Sequence, residues 1–276
     1  MNSIIRYALY SDNIKKMASH YHDCHQILFI KSGRIEIEIN GKIQTASSGD
    51  IIIISRFENH SIKILSEKYE RYIIRIDPQI ADVKKDFSIL TLRPQSFQNI
   101  IHSNKYFDDF INIFERIIKE FKINDISSQK INELLVSELL IYAERLLPNN
   151  SAEYNDSHFE IVFNLQRKFE NEYSEQFNLK NLAEQYHISI SNLCHSFKKI
   201  TGSSVMDYLI SCRMANAKRL LTKTNLSISE IVELCGFSDN SNFSRTFKKL
   251  NNISPSEFRI KFSDKNSGTD KKSKNS

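Results

Sequence analysis

Leu179-Lys180-Asn181-Leu182-Ala183-Glu184-Gln185-Tyr186, a break at His187 to Ser189, and Asn192-Leu193-Cys194-His195-Ser196-Phe197-Lys198-Lys199 make one half of a repeated design. The other half is Ile228-Ser229-Glu230-Ile231-Val232-Glu233-Leu234-Cys235, a break at Gly236-Phe237, and Ser241-Asn242-Phe243-Ser244-Arg245-Thr246-Phe247-Lys248-Lys249. Each half reads as a short amphipathic helix, a tight turn and a second helix. In both second helices apolar residues stand four apart, Leu193/Phe197 and Phe243/Phe247, and a Lys-Lys pair follows. Residues four apart share a helix face, so these pairs turn inward, the first of them against Leu182 and Ala183. Gly236 stands where a helix must stop, and without a Cβ it takes positive φ at little cost.

This is the pattern of a helix-turn-helix, whose second helix enters the DNA major groove. The outward faces supply the candidate DNA-binding residues. They are Ser191, Cys194, His195 and Lys198 in the first copy, and Asn240, Ser241, Asn242, Ser244, Arg245 and Lys248 in the second. Arg and Asn can pair in bidentate fashion with guanine and adenine edges, while Ser and Lys mostly position phosphates. The alternative is a helical packing domain in which the same residues form a solvated face. The segment between the copies, Val205 to Leu221, has no Gly or Pro and repeats Leu209, Met214, Ala217 and Leu221 on one side. A continuous helix there would hold two recognition helices about 34 Å apart, one turn of DNA, so that one chain reads adjacent major grooves.

Several further runs carry a resemblance. They are Phe197-Lys198-Lys199-Ile200-Thr201-Gly202, Arg213-Met214-Ala215-Asn216-Ala217-Lys218-Arg219-Leu220-Leu221, Gly236-Phe237-Ser238-Asp239, the Phe243 to Lys249 run, and Ser254-Pro255-Ser256-Glu257-Phe258-Arg259. From roughly Phe159 to Lys261 the chain resembles the C-terminal domain of AraC/XylS-family transcription regulators. Two positions depart from the family pattern: His195 stands where Arg or a comparable polar reader is usual, and Asn251-Asn252 replaces a Gly-containing turn.

The charge balance agrees with a nucleic-acid partner. The net charge is +5, but residues 157–276 hold 18 Lys+Arg against 12 Asp+Glu, and the remainder 20 against 21. The whole surplus lies in the half with the repeated design, as phosphate neutralisation requires. Part of it belongs to the Ser/Asn/Lys-rich stretch 263–276, which by composition is an expected disordered basic tail. The four cysteines, Cys24, Cys194, Cys212 and Cys235, show no CxxC spacing and suit free thiols in a reducing cytoplasm. No signal peptide is expected from Met1-Asn2-Ser3-Ile4-Ile5-Arg6. The longest apolar run, Ile51 to Ile54, is too short to span a bilayer, so a cytoplasmic protein with no membrane partner is expected.

His20 to Pro78 reads as antiparallel strands. Ile35-Glu36-Ile37-Glu38-Ile39 alternates strictly and ends in Asn40-Gly41, a strong hairpin signal. Gln26 to Ile30, Ile51 to Ile54 and Tyr69 to Ile76 are further strands, and many short strands argue for a barrel or sandwich. His20-x-His22, Gln26 and Gly33, then Gly49, Ser55 and His60, resemble the two cupin motifs in spacing. Metal-dependent cupins use a Glu where Gln26 stands, and a neutral amide is a poor substitute beside a divalent ion. No metal and no other cofactor is therefore expected. AraC-family N-terminal domains keep such a barrel and use its interior for a small effector. His20, His22, His60 and Arg71 are the candidate effector-binding residues, or else hydrogen-bonding residues of the barrel mouth.

Two amphipathic helices follow. Phe107 to Phe121 gathers Phe107, Phe110, Ile111, Phe114, Ile117, Ile118 and Phe121 on one side, and Ile131 to Leu147 gathers Leu134, Leu135, Leu139, Ile141, Tyr142 and Leu146. The resemblance implies a dimerisation role; the plain alternative is that they cover the barrel.

The expected architecture is multidomain: an N-terminal cupin-like β-barrel with two following helices, then an all-α domain with two helix-turn-helix motifs joined by a long helix. The expected division is 1–100 for the effector-sensing barrel, 101–150 for the helical dimerisation or cover segment and 151–157 for a linker. Residues 158–262 are expected to bind DNA and 263–276 to form the tail. The expected function is a sequence-specific transcription regulator, in the first instance an activator and not an enzyme. Its expected partners are double-stranded promoter DNA, RNA polymerase, a small effector and a second copy of the chain. The rival readings are a metal-dependent cupin enzyme fused to a DNA-binding domain, with His20, His22 and His60 as ligands, and a regulator with no small effector.

Overall fold

The computed structural model describes residues 3–12, 17–78, 85–90, 99–147 and 157–262. The chain divides into two compact units, residues 1–163 with 196–203 and residues 164–195 with 204–276. Apart from Ser157, which opens a helix, the expected linker lies outside the described residues, as does the expected tail.

The first unit is built on strands β1 (Ile5–Ser11), β2 (Met17–His20), β3 (His25–Ser32), β4 (Arg34–Ile39), β5 (Lys42–Ser47), β6 (Asp50–Ile54), β7 (His60–Ile64), β8 (Glu70–Ile76) and β9 (Ile100–His102). They form two antiparallel sheets, ordered β1-β8-β3-β6-β9 and β2-β7-β4-β5. The β4–β5 hairpin turns at Asn40 and Gly41, both at positive φ, as the Asn-Gly signal requires.

The two sheets enclose one apolar cluster, including Leu28, Ile30, Ile35, Ile37, Ile52, Ile54, Ile62 and Ile73. The odd residues of β3 and β6, Ile27, Phe29, Ile51 and Ile53, face the other way and join a second cluster. That cluster is closed by α1 (Phe107–Ile123) and α2 (Ile126–Arg145), which contribute Phe110, Phe114, Ile117, Leu135 and Leu139. This explains why Ile51 to Ile54 shows no alternation: both faces of the strand are covered, so every residue is buried. In β4 only Ile35, Ile37 and Ile39 are enclosed, and alternation survives.

On α2 the buried stripe is Leu135, Val136, Leu139, Leu140 and Ala143, spaced by three and four. Leu134 and Ile141, expected on that stripe, are instead 71% and 44% exposed. They stand seven residues apart beside the stripe, one position off the covered face.

The remaining helices are α3 (Ser157–Asn171), α4 (Leu179–Gln185), α5 (Ile190–Thr201), α6 (Val205–Lys223), α7 (Ile228–Leu234), α8 (Asn240–Asn251) and α9 (Pro255–Phe262). The Val205–Lys223 segment is one unbroken helix, capped by Ser204, and it buries Leu209, Met214, Ala217 and Leu221 as the periodicity predicts. Met214, Ala217 and Leu221 pack with Ile231, Val232, Cys235, Phe243 and Phe247 into one core. Ser227 with Glu230, and Ser254 with Glu257, exchange the reciprocal bonds of a capping box. Pro255 sits at the first helical position, where its missing N–H costs nothing.

Candidate nucleic-acid interface and barrel interior

The two halves of the repeated design fold alike. Helices α4 and α7 both end in a Schellman turn. Ile188 N donates to Ala183 O at 3.0 Å and His187 N to Glu184 O at 3.1 Å; in the second copy Phe237 N donates to Val232 O at 3.0 Å and Gly236 N to Glu233 O at 2.9 Å. The left-handed residues are His187 (φ 54°) and Gly236 (φ 72°). Each second helix is then capped by a side chain, Ser189 Oγ accepting from Asn192 N and Asp239 Oδ1 from Asn242 N.

From Ile190 to Ile200 and from Asn240 to Leu250 the order of exposed, half-buried and buried residues is identical. Leu193 matches Phe243 and Phe197 matches Phe247, all fully buried. Ser191, His195 and Lys198 match Ser241, Arg245 and Lys248, all exposed, while Cys194 and Ser244 are half-buried. Each outward row is spaced four and three, so it forms one stripe along its helix. Asn240 lies at the start of α8, its Nδ2 donating to Ser229 Oγ at 3.1 Å. Asn242 is exposed, and so is its counterpart Asn192, which sequence reasoning passed over although aligning the two copies would have found it. The Lys-Lys pairs fall in the last turns, where cations favour the helix dipole and can also meet phosphates. Asn252 ends α8 at φ 61°, doing what Gly202 does at φ 77° after α5.

The second copy is pinned from behind. Arg213, 8% exposed, donates from Nε to Tyr173 O at 2.8 Å and from Nη2 to Glu175 O at 2.7 Å. Gln176 Nε2 donates to Gly236 O at 3.0 Å, so the loop after α3 holds the turn of the motif. Cys235 is core, and burial pushes its thiol up to about 12.

Between the sheets, strand pairing brings three imidazoles together. His20 lies opposite His60 across β2 and β7, and His22 lies two residues on. Their ring centroids are 4.4, 4.7 and 5.3 Å apart, and one ring nitrogen from each lies within 4.8 Å of the others. His60 is 1% exposed; its Nδ1 donates to Glu58 O at 2.9 Å, which leaves the lone pair on Nε2. Burial pulls its pKa down to about 4, so the ring is neutral near pH 7. Arg75, not singled out by the sequence, donates from Nε to Gln26 Oε1 and from Nη2 to His22 Nε2, both at 3.1 Å. Arg71, the fourth expected residue, makes no hydrogen bond to these rings; it lies four residues along β8 from Arg75, on the same face, and acts on His60 through its charge.

Two family models match the chain: an AraC-like ligand binding domain over residues 4–143 and a helix-turn-helix domain over residues 182–261. The chain belongs to the AraC family of transcription regulators. It is 25% identical over 253 residues to the transcriptional activator RhaR of Mannheimia succiniciproducens, covering 88% of this chain and 87% of the relative. To the activator RhaS of Escherichia coli it is 23% identical over 243 residues, with 87% and 86% covered. Apo ToxT of Vibrio cholerae shares the fold, with a TM-score of 0.59 at 14% identity over 95% of this chain and 99% of that one. A fatty-acid-bound ToxT gives 0.56 at 14%, over 94% and 97%. The protein is a DNA-binding regulator with an attached ligand-binding domain. Among the described residues no helix is long and apolar enough to cross a membrane.

In this AraC-family barrel one ring nitrogen of each cupin-like histidine is close enough to share a metal ion, but among the described residues no carboxylate joins them. A guanidinium can only donate, so Arg75 occupies the lone pair of His22 Nε2. His20 Nε2 lies 3.2 Å from the same nitrogen. Gln26 turns its oxygen to Arg75. The Arg75 guanidinium, a fixed positive charge beside the rings, works against a divalent ion there.

Proposed function

We propose that this regulator reads two adjacent major grooves with α5 and α8, and that a small molecule entering its barrel changes how well it does so. The observation that carries the first half is the shared exposure pattern of the two helices. Two surfaces with the same inward anchors and the same outward stripe suit two turns of one duplex, joined by the unbroken α6. Within the stripes, Arg245 and Asn242 are assigned to base edges, and Lys198, Lys248, Ser191 and Ser241 to phosphates. His195 occupies the place of Arg245 in the first copy, so the two half-sites read by one chain differ in sequence. Cys194, Ser244 and Asn240 flank the stripes and shape the fit.

For the second half, the barrel with His20, His22, His60 and Arg71 is assigned to the effector. An effector acts only through a difference in affinity between two arrangements of the protein. The exposed Leu134 and Ile141 on α2 suit a second copy of the chain, RNA polymerase is the expected target of activation, and the cytoplasm is the expected compartment. The test is selection of DNA from a random library by the full chain, followed by binding of Arg245→Ala. Loss of about 1–3 kcal/mol on the selected site, with relaxed preference at one position, is expected. Equal affinity and equal preference would remove Arg245 from the reading surface.

A further inference from the structure

Two buried polar groups lie close together between the sheets with no oxygen or nitrogen acceptor beyond each other. Arg71 is 6% exposed; its Nε and Nη1 make no hydrogen bond, and its Nη2 reaches only the thioether of Met17 at 3.4 Å. It enters no ion pair among the described residues. Tyr69, 4% exposed, stands two residues earlier on the same side, packed in the cluster between the sheets, and its hydroxyl has no partner beyond Arg71. Burial dominates both groups, lowering the pKa of Arg71 and raising that of Tyr69, and each is the other's main favourable electrostatic neighbour.

A guanidinium cannot shed its proton to escape burial, so an enclosed one is ordinarily paired. This protein does so elsewhere: the buried Arg213 donates to two carbonyls. Arg75, on the same face of β8, has Gln26 and His22. Among the described residues there is no carboxylate in the groups that interact with Arg71, which are Tyr69, Tyr7, Arg75 and His60, and Ser11 stands opposite it on β1. Its cross-strand partner on β3 is Ile30, and the next rung is Ile73 with Leu28.

We propose that Tyr69 and Arg71 are the receptor for the carboxylate of an organic acid, and that this acid is the effector; the second clause rests on the effector-sensing reading above. A carboxylate supplies the missing charge and two acceptor oxygens, one for the guanidinium and one for the phenol. Ile30, Ile73 and Met17 require the part of the ligand next to the carboxylate to be apolar.

The test uses the full-length protein with octanoate and benzoate, each against its amide, and with inorganic phosphate. Both melting temperature and DNA affinity are measured. At least one acid raises the melting temperature by several degrees while its amide and phosphate do not. Arg71→Leu abolishes that shift yet melts no lower than wild type without ligand, because a buried unpaired charge has been removed. Tyr69→Phe folds normally and weakens the apparent affinity about 3- to 10-fold. The proposal is overturned if neither acid produces a shift, if amides or phosphate match the acids, or if Arg71→Leu retains the response. An acid that stabilises the protein through Arg71 but leaves DNA affinity unchanged keeps the carboxylate site and removes the effector reading. DNA affinity controlled by the amides alone does the reverse.

Discussion

His60 shows how one enclosed side chain makes a stability depend on pH. Its Nδ1 is held by the Glu58 carbonyl, and the rest of the ring is shut away from water, with His20, Arg75 and Arg71 as further positive influences. In the folded protein it takes up a proton only near pH 4; in the unfolded chain it does so near its ordinary 6.5. Between those values the unfolded state binds more protons, so stability is full above about pH 6.5 and falls as the pH drops towards 4. The difference corresponds to about 3 kcal/mol at most. His60→Asn keeps a donor for Glu58 and has nothing to titrate. Urea unfolding at pH 7.5 and 5.0 should therefore show a large loss for wild type and a much smaller one for the variant. Parallel losses would mean that the pH dependence belongs to other groups.

The two Schellman turns give a prediction about elements, because the same turn is made once with Gly and once with His. Gly236 has φ 72°, and a Cβ there would meet Ser174 O at 2.4 Å. Gly236→Ala thus combines left-handed strain with a backbone clash, and should cost about 2–3 kcal/mol. His187 carries the strain already at φ 54°, so His187→Gly should leave stability unchanged or raise it by up to about 1 kcal/mol. Thermal unfolding of both variants decides this, and an Ala at 236 as stable as wild type would contradict it. The sequence marked both breaks, but only at Gly236 did it also name the left-handed residue, since Gly at a helix end has a physical signature and His does not. The same distinction runs through the fold. Helix pairs, the hairpin at Asn40-Gly41 and the long α6 were legible because period and turn chemistry agree. Strands β1, β2 and β9 were not, being short or at sheet edges where no turn pair marks them. Leu134 and Ile141 misled because an apolar residue one position off the buried stripe looks, in sequence, like part of it. In the site, His20, His22 and His60 could be grouped from spacing alone. Tyr69 and Arg75 could not, because which face of β8 is enclosed follows only from its neighbours in the sheet.

At the scale of the whole chain, the uneven charge is a statement about how DNA is held. Residues 157–276 carry the entire positive surplus, and the exposed Lys198 and Lys248 extend both reading stripes towards the phosphates. Each phosphate neutralised releases condensed counterions, so the logarithm of the binding constant falls with the logarithm of salt by about 0.9 per contact. Lys248→Gln should then weaken binding to the selected site and to unrelated DNA by the same factor, and flatten the salt slope by about 1. Arg245→Ala, if it reads a base, should narrow the gap between the two DNAs instead. Removing 263–276 takes away Lys265, Lys271, Lys272 and Lys274 together with Asp264 and Asp270. That truncation should reduce affinity for unrelated DNA modestly and flatten its slope by no more than about 2, while the preference among sequences stays as it was. Binding of the four proteins to both DNAs across a salt series separates these roles. A salt slope untouched by Lys248→Gln would take that lysine off the phosphate backbone, and a truncation that altered sequence preference would move part of the reading into the tail.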